Sequence, residues 1–167
     1  KASGYLESTL ATGTAPLVVA STTKVTNLNA DQWDGLHLTD WTDWTPTVTQ
    51  LGSVTVTVTE AKYALVGKVC HIYAKLVVTG SGTGGNDIVI AGLPTAAQPA
   101  VTGNAVTIGT AHVIDTGTLN MFGFIRAVSA PDLRIYDSYT RAIIGTNPNF
   151  ALANTDEIGL SAHYRVA

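Results

Sequence analysis

Period-two alternation of apolar and polar residues dominates the chain from Thr45 onward. Val54, Val56 and Val58 alternate with Thr55, Thr57 and Thr59, which predicts a strand with its valines on one face. Val69 to Thr79 predicts the clearest long strand. Cys70, Ile72, Ala74, Leu76 and Val78 form its apolar face, and His71, Tyr73, Lys75 and Thr79 its mixed face. Ile158 to Val166 repeats the pattern, with Ile158, Leu160, Ala162, Tyr164 and Val166 on one side and Ser161, His163 and Arg165 on the other. Shorter candidates are Asp87 to Ala91, stopped by Gly92-Leu93-Pro94, then Ala105 to Ile114, and Leu133 to Tyr136. Asp115-Thr116-Gly117-Thr118 reads as a hairpin turn into Leu119 to Val128. About seven to nine short strands at this spacing, with no long helical pattern, predict a sandwich or barrel. The stretch from Ser81 to Asn86 reads as the most flexible link, and Gly145 to Asn154 as a long polar loop carrying Phe150.

The first forty or so residues differ. Their apolar runs, Leu17 to Ala20 and Val25 to Leu28, are too short and irregular to close a core. Asn29 to Gly35 predicts a single helical turn, capped by Asn29 and ended by Gly35. Trp33, Trp41 and Trp44 stand in an otherwise polar stretch and need something to bury against. The expected division is an extended segment over 1–44 and a β domain over 45–167.

Composition narrows the classes. The chain has 167 residues, 46% of them hydrophobic, and a formal net charge of −3. Only 13% are charged, against roughly 25% in an average soluble chain. So few cations argue against nucleic-acid binding through a basic face. No apolar run approaches the ~20 residues of a membrane span, so no membrane insertion is expected. A single cysteine excludes an intrachain disulfide and a cysteine-based zinc site. The first residue, Lys1, is not methionine, which reads as a processed product or a fragment of something longer.

Candidate chemistry is sparse. His37, His71, His112 and His163 show no metal-ligand spacing and read as surface or sheet-face imidazoles. Asp31, Asp34, Asp40 and Asp43 come in pairs three apart, and Asp132, Asp137, Asp156 and Glu157 fall at strand or loop ends. All suit turn and cap chemistry better than a glycosidase pair. No nucleophile elbow or phosphate-binding loop is present. Cys70, on an apolar strand face, is expected to be inert. No catalytic residue, metal or cofactor is therefore expected. Asp132 to Arg141 is the one dense mixture of aromatics and charges in the β part. It suits a sugar-binding surface. It suits better still a plainer reading, in which Tyr136 and Arg134 are ordinary strand residues and Arg134/Asp132 and Arg141/Asp137 are subunit or surface salt bridges.

The stretch ATGTAPLVVASTTKVTNLNADQWDG (Ala11 to Gly35) resembles a segment of tail fibres and related fibrous tail proteins of tailed bacteriophages. Trp44 to Thr49, then Ala61 to Val69 (AKYALVGKV), a long strand, a Gly/Ser/Thr turn and Ile88 to Pro94 (IVIAGLP) resemble the head domain of phage receptor-binding proteins. Past Asn104 the resemblance fades. It implies an all-β homotrimer, with an intertwined stem followed by a jelly-roll-like β-sandwich head. Trp33, Trp41, Trp44, Leu17, Val19 and Leu28 would then lie at the trimer interface. It also implies a virion location outside the cell, with other tail proteins as partners.

The leading expectation is a non-enzymatic adhesin that binds bacterial surface glycan with multivalent avidity. Tyr136, Tyr139, Arg141, Asn147 and Phe150 are the candidate receptor-binding residues, on distal loops. The alternatives are a purely structural fibre, collar or baseplate component, and a polysaccharide depolymerase, for which the chain is short and its carboxylates sit in turn contexts.

Overall fold

The computed structural model describes residues 40–103 and 106–166. These residues form one ten-stranded sheet in which every neighbouring pair is antiparallel. The strands are β1 (Thr42–Asp43), β2 (Thr47–Gln50), β3 (Gly52–Val54), β4 (Val56–Val66), β5 (Val69–Val78), β6 (Val89–Ala91), β7 (Thr107–Asp115), β8 (Leu119–Ser129), β9 (Asp132–Asp137) and β10 (Glu157–Arg165). Their spatial order is β1-β4-β5-β10-β7-β8-β9-β6-β2-β3. The described residues are all-β, as the period-two pattern predicts. A 3-10 turn at Thr95–Ala97 is the one helical feature among the described residues.

The sheet curls around one continuous apolar face. Along β5 burial alternates, with Cys70, Ile72, Ala74, Leu76 and Val78 at 1% exposure or less. The same alternation in β10 buries Ile158, Leu160, Ala162 and Tyr164. Val48 of β2, Ile90 of β6, Val113 of β7, Ile125 of β8 and Leu133 of β9 join them in one contiguous core. Removing this surface from water is the main force holding the fold. Tyr164 enters the core with its hydroxyl donating to the Ala97 carbonyl at 2.6 Å, so the buried phenol keeps a partner.

Thr55 is where the two ends of the sheet meet. It lies between β3, at one end of the strand order, and β4, near the other. Its carbonyl accepts from the Thr79 N–H at 2.8 Å and the Gly80 N–H at 3.1 Å. This crossing breaks the predicted valine stripe. Val54 is buried, but Val58 is 36% exposed. A register shift between Val58 and Glu60 then re-phases β4, so that Ala61 points inward.

The hairpin read at 115–118 is present, with the Thr118 N–H donating to the Asp115 carbonyl at 3.0 Å and Gly117 at φ 84°. The strand set exceeds the expected number by short members such as β1 and β3. β1 lies ahead of the expected boundary at Thr45 and pairs with β4 through Thr42↔Tyr63 and Asp43↔Lys62. Trp44 also differs from its expected place on a subunit interface. It is 5% exposed within a single chain and belongs to the core, whereas Trp41 remains 55% exposed. The indole of Trp44 finds its apolar neighbours in its own sheet. Leu17, Val19, Leu28, Trp33 and the helical turn at 29–35 lie outside the described residues.

Candidate functional site

The outer face of the sheet carries an open groove of about 660 Å³ over β5, β10, β7 and β8. Its floor follows from strand register. One row across the sheet is Tyr73, Ser161, Thr110 and Phe124, and the next is Lys75, Gly159, His112 and Phe122. Gly159 leaves a gap between Lys75 and His112. A Cβ there would meet only the His112 carbonyl oxygen, at 4.0 Å.

Aromatic surface and hydrogen-bonding groups are interleaved along the groove. The His112 and Phe122 rings stack with centroids 4.3 Å apart and planes 3° from parallel, forming one continuous platform. Phe122 is 64% exposed. The Nε2 atom of His112 is buried with no hydrogen-bond partner among the described residues. The Lys75 ammonium meets the Glu157 carboxylate at 3.1 Å on the rim. Tyr73 donates to Glu60 at 2.5 Å, and this bond is the main cause holding its phenol proton above the ordinary value. Such a surface presents flat apolar patches and polar groups together, and it offers no paired carboxylates across a cleft.

Ser138 borders the groove and opens the loop expected to carry recognition. The Asp137 carboxylate shapes this loop by accepting from the Tyr139 N–H at 3.0 Å and from the Thr140 N–H. The Arg141 N–H donates to the Asp137 carbonyl at 3.0 Å, with Arg141 itself at φ 60°. Thr140 Oγ1 donates to the Asn147 carbonyl at 3.1 Å. Tyr139, Arg141 and Asn147 are exposed, Tyr139 almost wholly.

Tyr136 and Phe150 do not join them. Tyr136 is buried, with the Arg126 guanidinium 4.2 Å above its ring. Phe150 packs against the core. The ion pair expected for Arg134 with Asp132 is also replaced: Arg134 meets Asp87 of the neighbouring segment at 3.2 Å.

Gln50 positions the far end of the loop. Fully buried, it donates through Nε2 to the carbonyls of Asn86 at 3.2 Å and Phe150 at 2.8 Å, and accepts through Oε1 from the Leu152 N–H at 2.9 Å. The Gly-rich link from Ser81 to Asn86 is thereby pinned. Asp156 plays a similar part at the next turn, accepting from the Thr116 N–H at 3.0 Å and the Ala153 N–H at 2.8 Å.

No family model matches the chain, and neither a curated protein nor a solved structure matches it.

Proposed function

We propose that this chain is the distal part of a homotrimeric bacteriophage tail fibre or receptor-binding protein, attaching the virion to polysaccharide on the host surface. In this reading the described sheet is a jelly-roll-like sandwich head, the preceding residues form an intertwined stem, and other virion proteins hold it in the tail. The protein works outside the cell and without catalysis. The observation that carries the reading is the groove. Its His112–Phe122 platform offers a flat apolar surface to the C–H face of a sugar ring. The exposed hydroxyls of Thr110, Ser138 and Ser161 stand beside it to meet those of the sugar. The resemblance of Ala11 to Gly35 to phage fibre segments supplies the biological setting. Three grooves per fibre give avidity from weak single contacts.

The test is binding of the isolated protein to host polysaccharide fractions, compared with Gly159→Leu, which fills the groove floor. Retention by the native protein and loss in the variant is the expected result. No binding to any host surface fraction sinks the proposal. The structural-component reading draws on the exposed apolar residues Phe122 and Leu119. It predicts that Phe122→Ser lowers the oligomeric mass in solution while no glycan is bound.

A further inference from the structure

We infer that His71 and His163 form a chelating site for a borderline divalent transition-metal ion, with Zn2+, Ni2+ and Cu2+ as the fitting class. The two residues lie directly opposite each other on β5 and β10. Both are exposed, on the same outer face as the groove but in the next row beyond Tyr73 and Ser161. Their ring centroids are 6.2 Å apart, with planes 28° from parallel. Directly opposed residues on an antiparallel pair have Cβ atoms roughly 4.5–5.5 Å apart, so two imidazoles can point at one ion.

Geometry and chemistry agree. Two imidazoles holding one ion at roughly 2.0–2.1 Å in a tetrahedral arrangement place their centroids about 5 Å apart. Closing from 6.2 Å needs a shift of about 1 Å and a turn of the stacked rings so that one nitrogen of each faces the ion, both available to side-chain rotation at two exposed positions. Neither imidazole has a hydrogen-bond or ion-pair partner among the described residues, so no existing bond must break. Imidazole nitrogen selects borderline metals over Mg2+ and Ca2+, which prefer oxygen. On the same face Arg165 opposes a dication, while the Glu60 carboxylate, held by Tyr73, offsets it. The rigid neighbours on both strands hold the two ligands in register, and this prepositioning makes the pair stronger than two separate histidines. Water or a ligand oxygen fills the remaining coordination positions.

Titration of the full chain with Zn2+, followed by imidazole NMR signals and calorimetry, tests the site. One ion per chain is expected, with His71 and His163 shifting together. His71→Asn and His163→Asn, prepared separately, should each weaken binding about tenfold or more. Both positions are exposed, and circular dichroism confirms that each variant is folded. Unchanged affinity in either folded variant, or a shift confined to one histidine, overturns the inference. The site is independent of glycan attachment, so loss of either activity leaves the other measurable.

Discussion

Gln50 and Leu152, 102 positions apart in the chain, are joined by a buried hydrogen bond in which the Leu152 N–H donates to Gln50 Oε1 at 2.9 Å. With its two Nε2 bonds, the Gln50 amide satisfies three backbone groups that no strand ladder reaches. Gln50→Ala removes the partner of all three, and the Leu152 N–H is left buried without one. The expected loss is about 2–4 kcal/mol of stability. Chemical denaturation measures it, and faster hydrogen exchange at the Leu152 amide localises it. Unchanged exchange at Leu152 refutes the clamp.

Gly109 of β7 and Gly159 of β10, on adjacent central strands, are predicted to behave oppositely. At Gly109 a Cβ would fall 2.5 Å from both Cα and Cβ of Ala162, so Gly109→Ala should cost about 1–3 kcal/mol through backbone displacement. At Gly159 the space is open, and Gly159→Leu should change stability by less than about 1 kcal/mol while abolishing glycan retention. Thermal unfolding of the two variants side by side decides it; equal destabilisation contradicts an open groove floor at Gly159.

Recognition by the loop is tested at Tyr139. Its side chain is 92% exposed, and only its backbone N–H is engaged, by Asp137. Tyr139→Ala should leave stability within about 0.5 kcal/mol and reduce glycan binding. Tyr136→Ala should do the reverse and lower stability first, because that ring is buried under Arg126. Full binding by Tyr139→Ala removes the loop from the site.

Alkaline stability follows from two buried acids. Burial is the leading cause pushing up both the Cys70 thiol and the Tyr164 phenol. Unfolded, these groups lose protons near 9.0 and 10.0 respectively, whereas the native state holds them to higher pH. The unfolded state thus binds fewer protons above about pH 9, and stability falls as pH rises through that window. Below about pH 9 both states are protonated and this contribution to the slope vanishes. Tyr164→Phe should flatten the upper part of the fall while costing about 1 kcal/mol for the lost bond to Ala97. Denaturation midpoints measured across this range check the sign; a midpoint that rises with pH contradicts it.

What the sequence made legible was local. In β5 and β10 the period-two pattern runs without interruption, and both faces follow from it. The Val54–Val58 stripe misleads because the crossing at Thr55 and the bulge before Glu60 depend on strands distant in the chain. Trp44 reads as an interface residue because its core neighbours come from later strands. Gln50 carries no local signal, since its partners lie 36, 100 and 102 positions away. The groove is built from residues between Tyr73 and Ser161 that become neighbours only through register, and its centre is a glycine, the residue type that reads least like a site.

The short strand β1 and the residue behind it set how the fold answers to force. Tension entering from residues ahead of Asp40 reaches β1 first, where two paired residues and the Lys62–Asp43 contact at 2.7 Å offer a weak grip. Behind them, the Trp44 N–H donates to the Ala61 carbonyl at 3.1 Å and its indole is enclosed. Pulling further must extract that indole before β2 feels the load. Trp44 thus resists a pull on β1 more firmly than the pairing of β1 itself.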